Sequence, residues 1–207
     1  MKTTHIAATV LVCLLASACE TFEEAAMRPP EPPMVHRAIG YRRVAIVEFY
    51  NRTPYEQPAR FAEQLREKLA HWTTATDVVL IRQEDLPGLE DPFRGGRIPL
   101  GALVAARERY LADAVILGSV DEHSPYWKPS VHISLKVVDT ATAAIPFELS
   151  DGWDANRQTD RELIDSYYRR NRDCDDCRFG PELFVTSPSY FLRFVADSVA
   201  QRLVKTL

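Results

Sequence analysis

Cys174-Asp-Asp-Cys177 places two thiols two residues apart, a spacing open to disulfide, redox or metal chemistry. In an oxidising compartment a local disulfide is the default expectation. For so short a loop it stabilises by roughly 2 kcal/mol or less in the chain-entropy model. Redox catalysis needs a lowered thiol pKa, which Arg172 and Arg178 favour and Asp173, Asp175 and Asp176 oppose. Zinc wants four ligands, and no His-x₃₋₅-His pair accompanies these cysteines, so no metal site is expected. Asp151 and Asp154 flank Trp153, an arrangement that could serve as the carboxylate pair of a glycan hydrolase or, more simply, as turn-forming residues after a strand. His36, His71, His123 and His132 are scattered rather than clustered. Gly96 and Gly101 have phosphate-loop spacing, but Ala102 stands where a lysine must reach the phosphates. There is no Gly-x-Ser-x-Gly. These residues assemble no catalytic set, and the expectation is a protein that is not an enzyme. Ser124-Pro-Tyr-Trp-Lys-Pro129 is of another kind. Tyr126 and Trp127 sit in a loop stiffened by two prolines, either as a partner-binding pair or with Trp127 folded back as a lid over the core.

Cys19 comes after Lys2, an apolar stretch Ile6–Leu15 and the small residues Ala16-Ser17-Ala18. That is the layout of a secretory signal peptide, with an apolar run too short to span a bilayer. The cysteine directly after it resembles the lipobox of bacterial lipoproteins. The resemblance implies cleavage of residues 1–18, a diacylglycerol on Cys19 and acylation of the new amine. Two or three chains make a durable anchor where one is marginal. Glu20, not Asp, stands after the cysteine; by resemblance to the enterobacterial sorting rule this implies the outer membrane, facing the periplasm. The covalent lipid is the only cofactor expected.

Losing residues 1–18 removes Lys2 alone among the charged residues and takes the formal net charge from −4 to −5. A mildly acidic chain lacks the basic footprint of a nucleic-acid binder. Residues 19–39 carry Pro29, Pro30, Pro32 and Pro33 and read as a semi-rigid tether, reaching at most roughly 60 Å at about 3.1 Å per residue. Residues 40–207 are the expected domain.

The elements that must position these side chains emerge from periodicity. Arg42–Phe49, Val78–Ile81 and Ala114–Val120 are dense β-branched runs, expected as buried strands. Ser130–Asp139 alternates, with Val131, Ile133, Leu135 and Val137 on one face and His132, Ser134 and Lys136 on a wetter one. Ile145–Trp153 is a weaker strand, put at an edge by Pro146. Phe61, Leu65, Leu69 and Trp72 form one helical stripe. A helix from Pro99 to Leu111 is expected to turn Leu100, Leu103, Val104 and Leu111 inward. Residues 158–172 read as a charged helix, and Ser187-Pro188 as the start of a last one with stripe Phe191, Phe194, Val195, Val199 and Leu203. The sum is an α/β fold: a single domain with a mixed parallel/antiparallel sheet of about five strands flanked by helices.

Val44-Ala-Ile-Val-Glu-Phe-Tyr-Asn-Arg-Thr53, Ala112-Asp-Ala-Val-Ile-Leu-Gly-Ser-Val120 and Ile133-Ser-Leu-Lys-Val-Val-Asp-Thr-Ala-Thr142 resemble, in order and spacing, the strand motifs of CsgG / LpoB / TolB-N-terminal-like periplasmic domains. The likeness covers residues 41–150. Phe179–Phe184 and Ser187–Phe194 look like uncharacterised planctomycete-type lipoproteins of the same group. The resemblance implies a non-catalytic interaction or assembly module in a cell-envelope complex, with an unnamed envelope protein or further copies of itself as partner. A CsgG-like oligomeric secretion component is the alternative, although no paired amphipathic membrane segments are visible. Where the family usually has Gly after the Asp-x-x-Thr turn, Ala143 stands, which predicts a different turn.

Overall fold

A computed structural model describes residues 40–73, 76–171 and 180–207, all within the unit His36–Leu207. Cys19, the tether and the Cys174–Cys177 pair lie outside the described residues.

The strands are β1 (Arg43–Val47), β2 (Tyr50–Asn51), β3 (Asp77–Ile81), β4 (Ala114–Ser124), β5 (Ser130–Asp139) and β6 (Phe147–Asp154). They form one mixed sheet in the order β3-β1-β4-β5-β6, with β2 continuing beside β4. β1 runs parallel to β3 and β4, while β4, β5 and β6 form an antiparallel meander. The helices are α1 (Phe61–Trp72), α2 (Leu100–Tyr110), α3 (Gln158–Arg170), α4 (Glu182–Thr186) and α5 (Pro188–Val204). The α/β class and the mixed sheet agree with the expectation.

β1 and the first half of β4 are almost wholly apolar because both their faces are covered. Val44, Ile46, Ala114 and Ile116 face a core closed by Leu65 and Leu69 of α1, Ile164 and Tyr167 of α3, Phe184 of α4 and the Phe191–Leu203 stripe of α5. Ala45, Val47, Val115 and Leu117 face the opposite way, onto Ala102, Leu103 and Ala106 of α2. Gly118 is required where it stands: a Cβ there would lie 2.3 Å from the Phe49 ring, which packs against the strand.

Two expectations are corrected. Leu100, Val104 and Leu111 point outward and are exposed; α2 buries Ala102, Leu103, Ala105 and Ala106. The alanines let the helix lie close on the sheet, and Leu111 is not helical but a left-handed cap with φ +54°. The turn after β5 does form with Ala143, which adopts φ +57°. Asp139 Oδ1 accepts from the backbone N–H groups of Ala141 and Thr142 at 2.9 and 2.8 Å and holds the turn closed.

β4 runs four residues past the predicted Val120, through a bulge. Val120 pairs with Ile133 and Glu122 with His132, which leaves Asp121 as the extra residue. A bulge flips the facing of every later residue in its strand. Asp121 stays on the wetter face, and His123, opposite Val131, turns into the buried one.

Candidate functional site

The β4–β5 hairpin ends in the loop Pro125–Pro129, where Tyr126 is 72% and Trp127 89% exposed. The lid alternative is therefore overturned: the indole does not fold back. Trp127 and Lys128 are consecutive non-glycine residues at φ +47° and +73°. Such left-handed positions cost of order 1 kcal/mol each and persist only where the surroundings hold them. Here Pro125 and Pro129 are buried at the two loop ends, and the Pro129 carbonyl accepts from Ala155 N–H at 3.0 Å.

Beneath the tip the rings form a ladder. Tyr126 meets Tyr55 edge-on at 5.9 Å, and Tyr55 meets His123 edge-on at 5.7 Å. Tyr55 is set by the turn that closes β2: Asn51 Nδ2 donates to the Tyr55 carbonyl at 2.6 Å, and Asn51 Oδ1 accepts from Thr53 N–H at 3.0 Å. His123 Nδ1 donates to the Ser130 carbonyl at 3.1 Å, while Nε2 is buried without a partner. Burial pulls this histidine below its ordinary pKa, against the carbonyl contact. A neutral ring under two tyrosines makes an apolar base for the tip.

The same turn sends Arg52 to the wetter face of the sheet. Arg52 Nε donates to Asp91 Oδ2 at 2.9 Å, Nη2 to Asp91 Oδ1 at 2.6 Å, and Nη1 to Asp121 Oδ1 at 2.5 Å. Ser119 and Ser134 hydroxyls donate to the two Asp121 oxygens at 2.8 and 2.6 Å, and His132 Nδ1 lies 3.4 Å away. Burial alone would raise the Asp121 carboxyl, but the hydroxyls, Arg52 and His132 outweigh it and hold it below the ordinary range. This network straps the segment 83–99 across the sheet. Gly96 serves it, since a Cβ there would come within 2.4 Å of the Asp91 carbonyl. Sequence spacing alone does not reveal this network; its visible signals are Asp121 after an apolar strand and serines on the alternating face.

Asp151 and Asp154 do not face one another. Asp151, opposite Ile133, lies over the α5 side and accepts from Arg202 Nη1 at 2.6 Å. Burial would raise its carboxyl, and the Arg202 hydrogen bond and the Gly152 amide override that and lower it. Asp154, three residues on and so on the opposite face of the strand, accepts from Asn156 N–H at 2.7 Å. A glycosidic acid needs a raised pKa, and Asp151 is shifted the other way. His71 and His132 lie on separate elements, and among the described residues no group of three or more His, Cys, Asp or Glu is placed to hold a metal. No helix among them is long and apolar enough to cross a membrane.

The sheet edge beside the hairpin is closed at one end. Arg157 Nη2 donates to the Gly152 carbonyl, Asp151 Oδ1 accepts from Gly152 N–H at 2.8 Å, and Asp160 Oδ2 accepts from Asp154 N–H at 2.7 Å. Occupied edge groups oppose strand addition, which leaves the aromatic tip as the presented feature at that end.

No protein family and no curated protein matches this chain. Among solved structures it is similar to the PelC dodecamer from Paraburkholderia phytofirmans, 18% identical over 57% of this chain and 76% of that one, TM-score 0.43. A hypothetical protein from Chlamydia trachomatis is 15% identical over 79% and 95%, TM-score 0.48. The LpoB C-terminal domain from Escherichia coli is 16% identical over 56% and 86%, TM-score 0.35. None of these likenesses assigns the chain to a family.

Proposed function

We infer that this chain is a lipid-anchored, non-catalytic interaction module of the bacterial cell envelope, held at the outer membrane through Cys19 and facing the periplasm. The observation that carries the reading is Trp127, 89% exposed on a strained, doubly anchored hairpin apex beside Tyr126. Exposed aromatics on a rigid support bind at low entropic cost and are typical contact anchors. The signal-like segment and Cys19 support the location; Asp151, bonded to Arg202, and Asp154, on the opposite strand face, support a non-catalytic role.

The test is in-cell crosslinking of the tagged, full-length chain, comparing the parent with Tyr126→Ala/Trp127→Ala. Loss of the crosslinked species in the variant, with membrane fractionation unchanged, is the expected result. An identical crosslinking pattern sinks the contact assignment. Cys19→Ala should release the protein into the soluble fraction; persistence on membranes sinks the anchor.

A further inference from the structure

We propose that acid releases the aromatic tip, with His123 as the proton-sensitive seat of the Tyr126–Tyr55–His123 ladder. This rests on the contact reading above and adds a condition under which the contact is lost. The His123 ring is 8% exposed. Its Nδ1 donates to the Ser130 carbonyl at 3.1 Å, and its Nε2 is buried without a partner. This seat suits the neutral ring with its one proton on Nδ1. A second proton falls on Nε2, where it finds no acceptor, and leaves an unpaired cation in an apolar place.

The charges near the ring do not relieve this. On its own strand Asp121 and Glu122 belong to the wetter face, where Asp121 is held by Arg52, Ser119 and Ser134 and Glu122 is exposed opposite His132. β5 sets Val131 opposite His123, and β6 sets Trp153 opposite Val131. The Asn51–Tyr55 turn and the tip contribute Tyr55 and, beyond it, Tyr126. Among the described residues no carboxylate or cation, from these elements or from the helices, shifts His123; burial and the Ser130 carbonyl alone act on it. Release can be local because the ring stands one residue before the end of β4 at Ser124. When it leaves, Tyr55 loses its edge contact, Tyr126 loses Tyr55, and the left-handed pair Trp127 and Lys128 loses support on that side. The released ring is in water and takes up a proton near about pH 6.5, whereas the seated ring does so only at lower pH. The seated form is therefore favoured above about pH 6.5 and loses ground as pH falls, so the released fraction rises about tenfold between about pH 7.5 and about pH 5.5.

The reporter is the Ala155 N–H, which donates to the Pro129 carbonyl at the foot of the loop, next to the Ser130 that His123 holds. In the full-length chain in detergent, its hydrogen-exchange protection, corrected for intrinsic exchange chemistry, should fall about tenfold over that pH range. The fall should be nearly independent of dilute urea, as for a local opening. His123→Phe and His123→Gln should each remove it. In cells, a photo-crosslinker placed at Ser124 should give the Trp127-dependent species in neutral medium and several-fold less in acid medium, with the His123→Phe chain unchanged. Protection that stays flat, or that falls equally in both His123 variants, overturns the proposal, and so does a Trp127-dependent crosslink indifferent to pH. A crosslink that ignores Trp127 in neutral medium sinks the contact reading instead, while the Ala155 exchange still decides the acid release.

Discussion

Arg52 is the cation between two carboxylates largely withdrawn from water: side-chain exposure is 15% for Arg52 and 18% for both Asp91 and Asp121. Replacing it by Met keeps much of the stem and removes every hydrogen bond from Arg52 to Asp91 and the one to Asp121. Breaking a fully buried ion pair costs about 3–5 kcal/mol, and an exposed one about 0–1. At this burial, with Asp121 still served by Ser119 and Ser134, about 2–3 kcal/mol is expected. With a urea m-value of about 2 kcal/mol/M, the midpoint should fall by roughly 1–1.5 M, read by circular dichroism. The strap should loosen with it, so native-state trypsin should cut after Arg94 or Arg97 faster than in the parent. The triple variant Arg52→Met/Asp91→Asn/Asp121→Asn removes the stranded charges and should recover at least half of the lost midpoint. A shift below about 0.3 M for Arg52→Met, or a triple variant no better than the single one, would refute the argument that these half-buried carboxylates depend on one guanidinium.

Gly118→Ala drives a methyl into the Phe49 ring, 2.3 Å from its ideal Cβ, and overpacking of this kind costs about 1–3 kcal/mol; Phe49→Leu in the same chain should return part of it in thermal melts. Tyr41 is pushed up to about 12, first by burial and then by Asp139. Its neutral form is favoured in the folded state, so the contribution is complete below about pH 10 and is lost as pH rises toward about 12; Tyr41→Phe should flatten the urea midpoint over that window. His123 is depressed by burial, so the unfolded chain takes up its proton first. Stability should be complete above about pH 6.5 and fall as pH drops through it, and His123→Phe should remove that slope.

The strand runs, the α1 and α5 stripes and the edge placement of β6 are legible in the sequence because each depends on local periodicity that one face of the sheet reads directly. The inward face of α2 is not, for a physical reason. Side-chain size favours its leucines as core, yet a helix lying against strand surface at Ala45 and Val47 is better served by Ala102, Ala105 and Ala106. The tip is legible as a stiff loop, but whether Trp127 faces in or out turns on two left-handed residues that no composition signal announces. The Arg52 network is hidden because its members come from segments 39 and 69 residues apart; only the pairing of strands brings them together.

The bulge at Asp121 ties the two halves of the site into one device. Were Asp121 accommodated by regular alternation instead of a bulge, His123 would fall on the wetter face, Tyr55 would lose its apolar seat, and Tyr126 would lose the ring that supports it. The turn Asn51–Pro54 repeats that division of labour, since Asn51 fixes Tyr55 under the tip while Arg52 holds the strap. The strap in turn packs Ile98 against the core on the α2 side of the sheet. A change that loosens Arg52 should therefore loosen the strap and spare the tip. Arg52→Met should speed trypsin cleavage after Arg94 or Arg97 and leave the Trp127-dependent in-cell crosslink unchanged. Faster cleavage together with loss of the crosslink would mean that strap and tip unfold together, and that the hairpin is not the independent rigid support on which the contact reading depends.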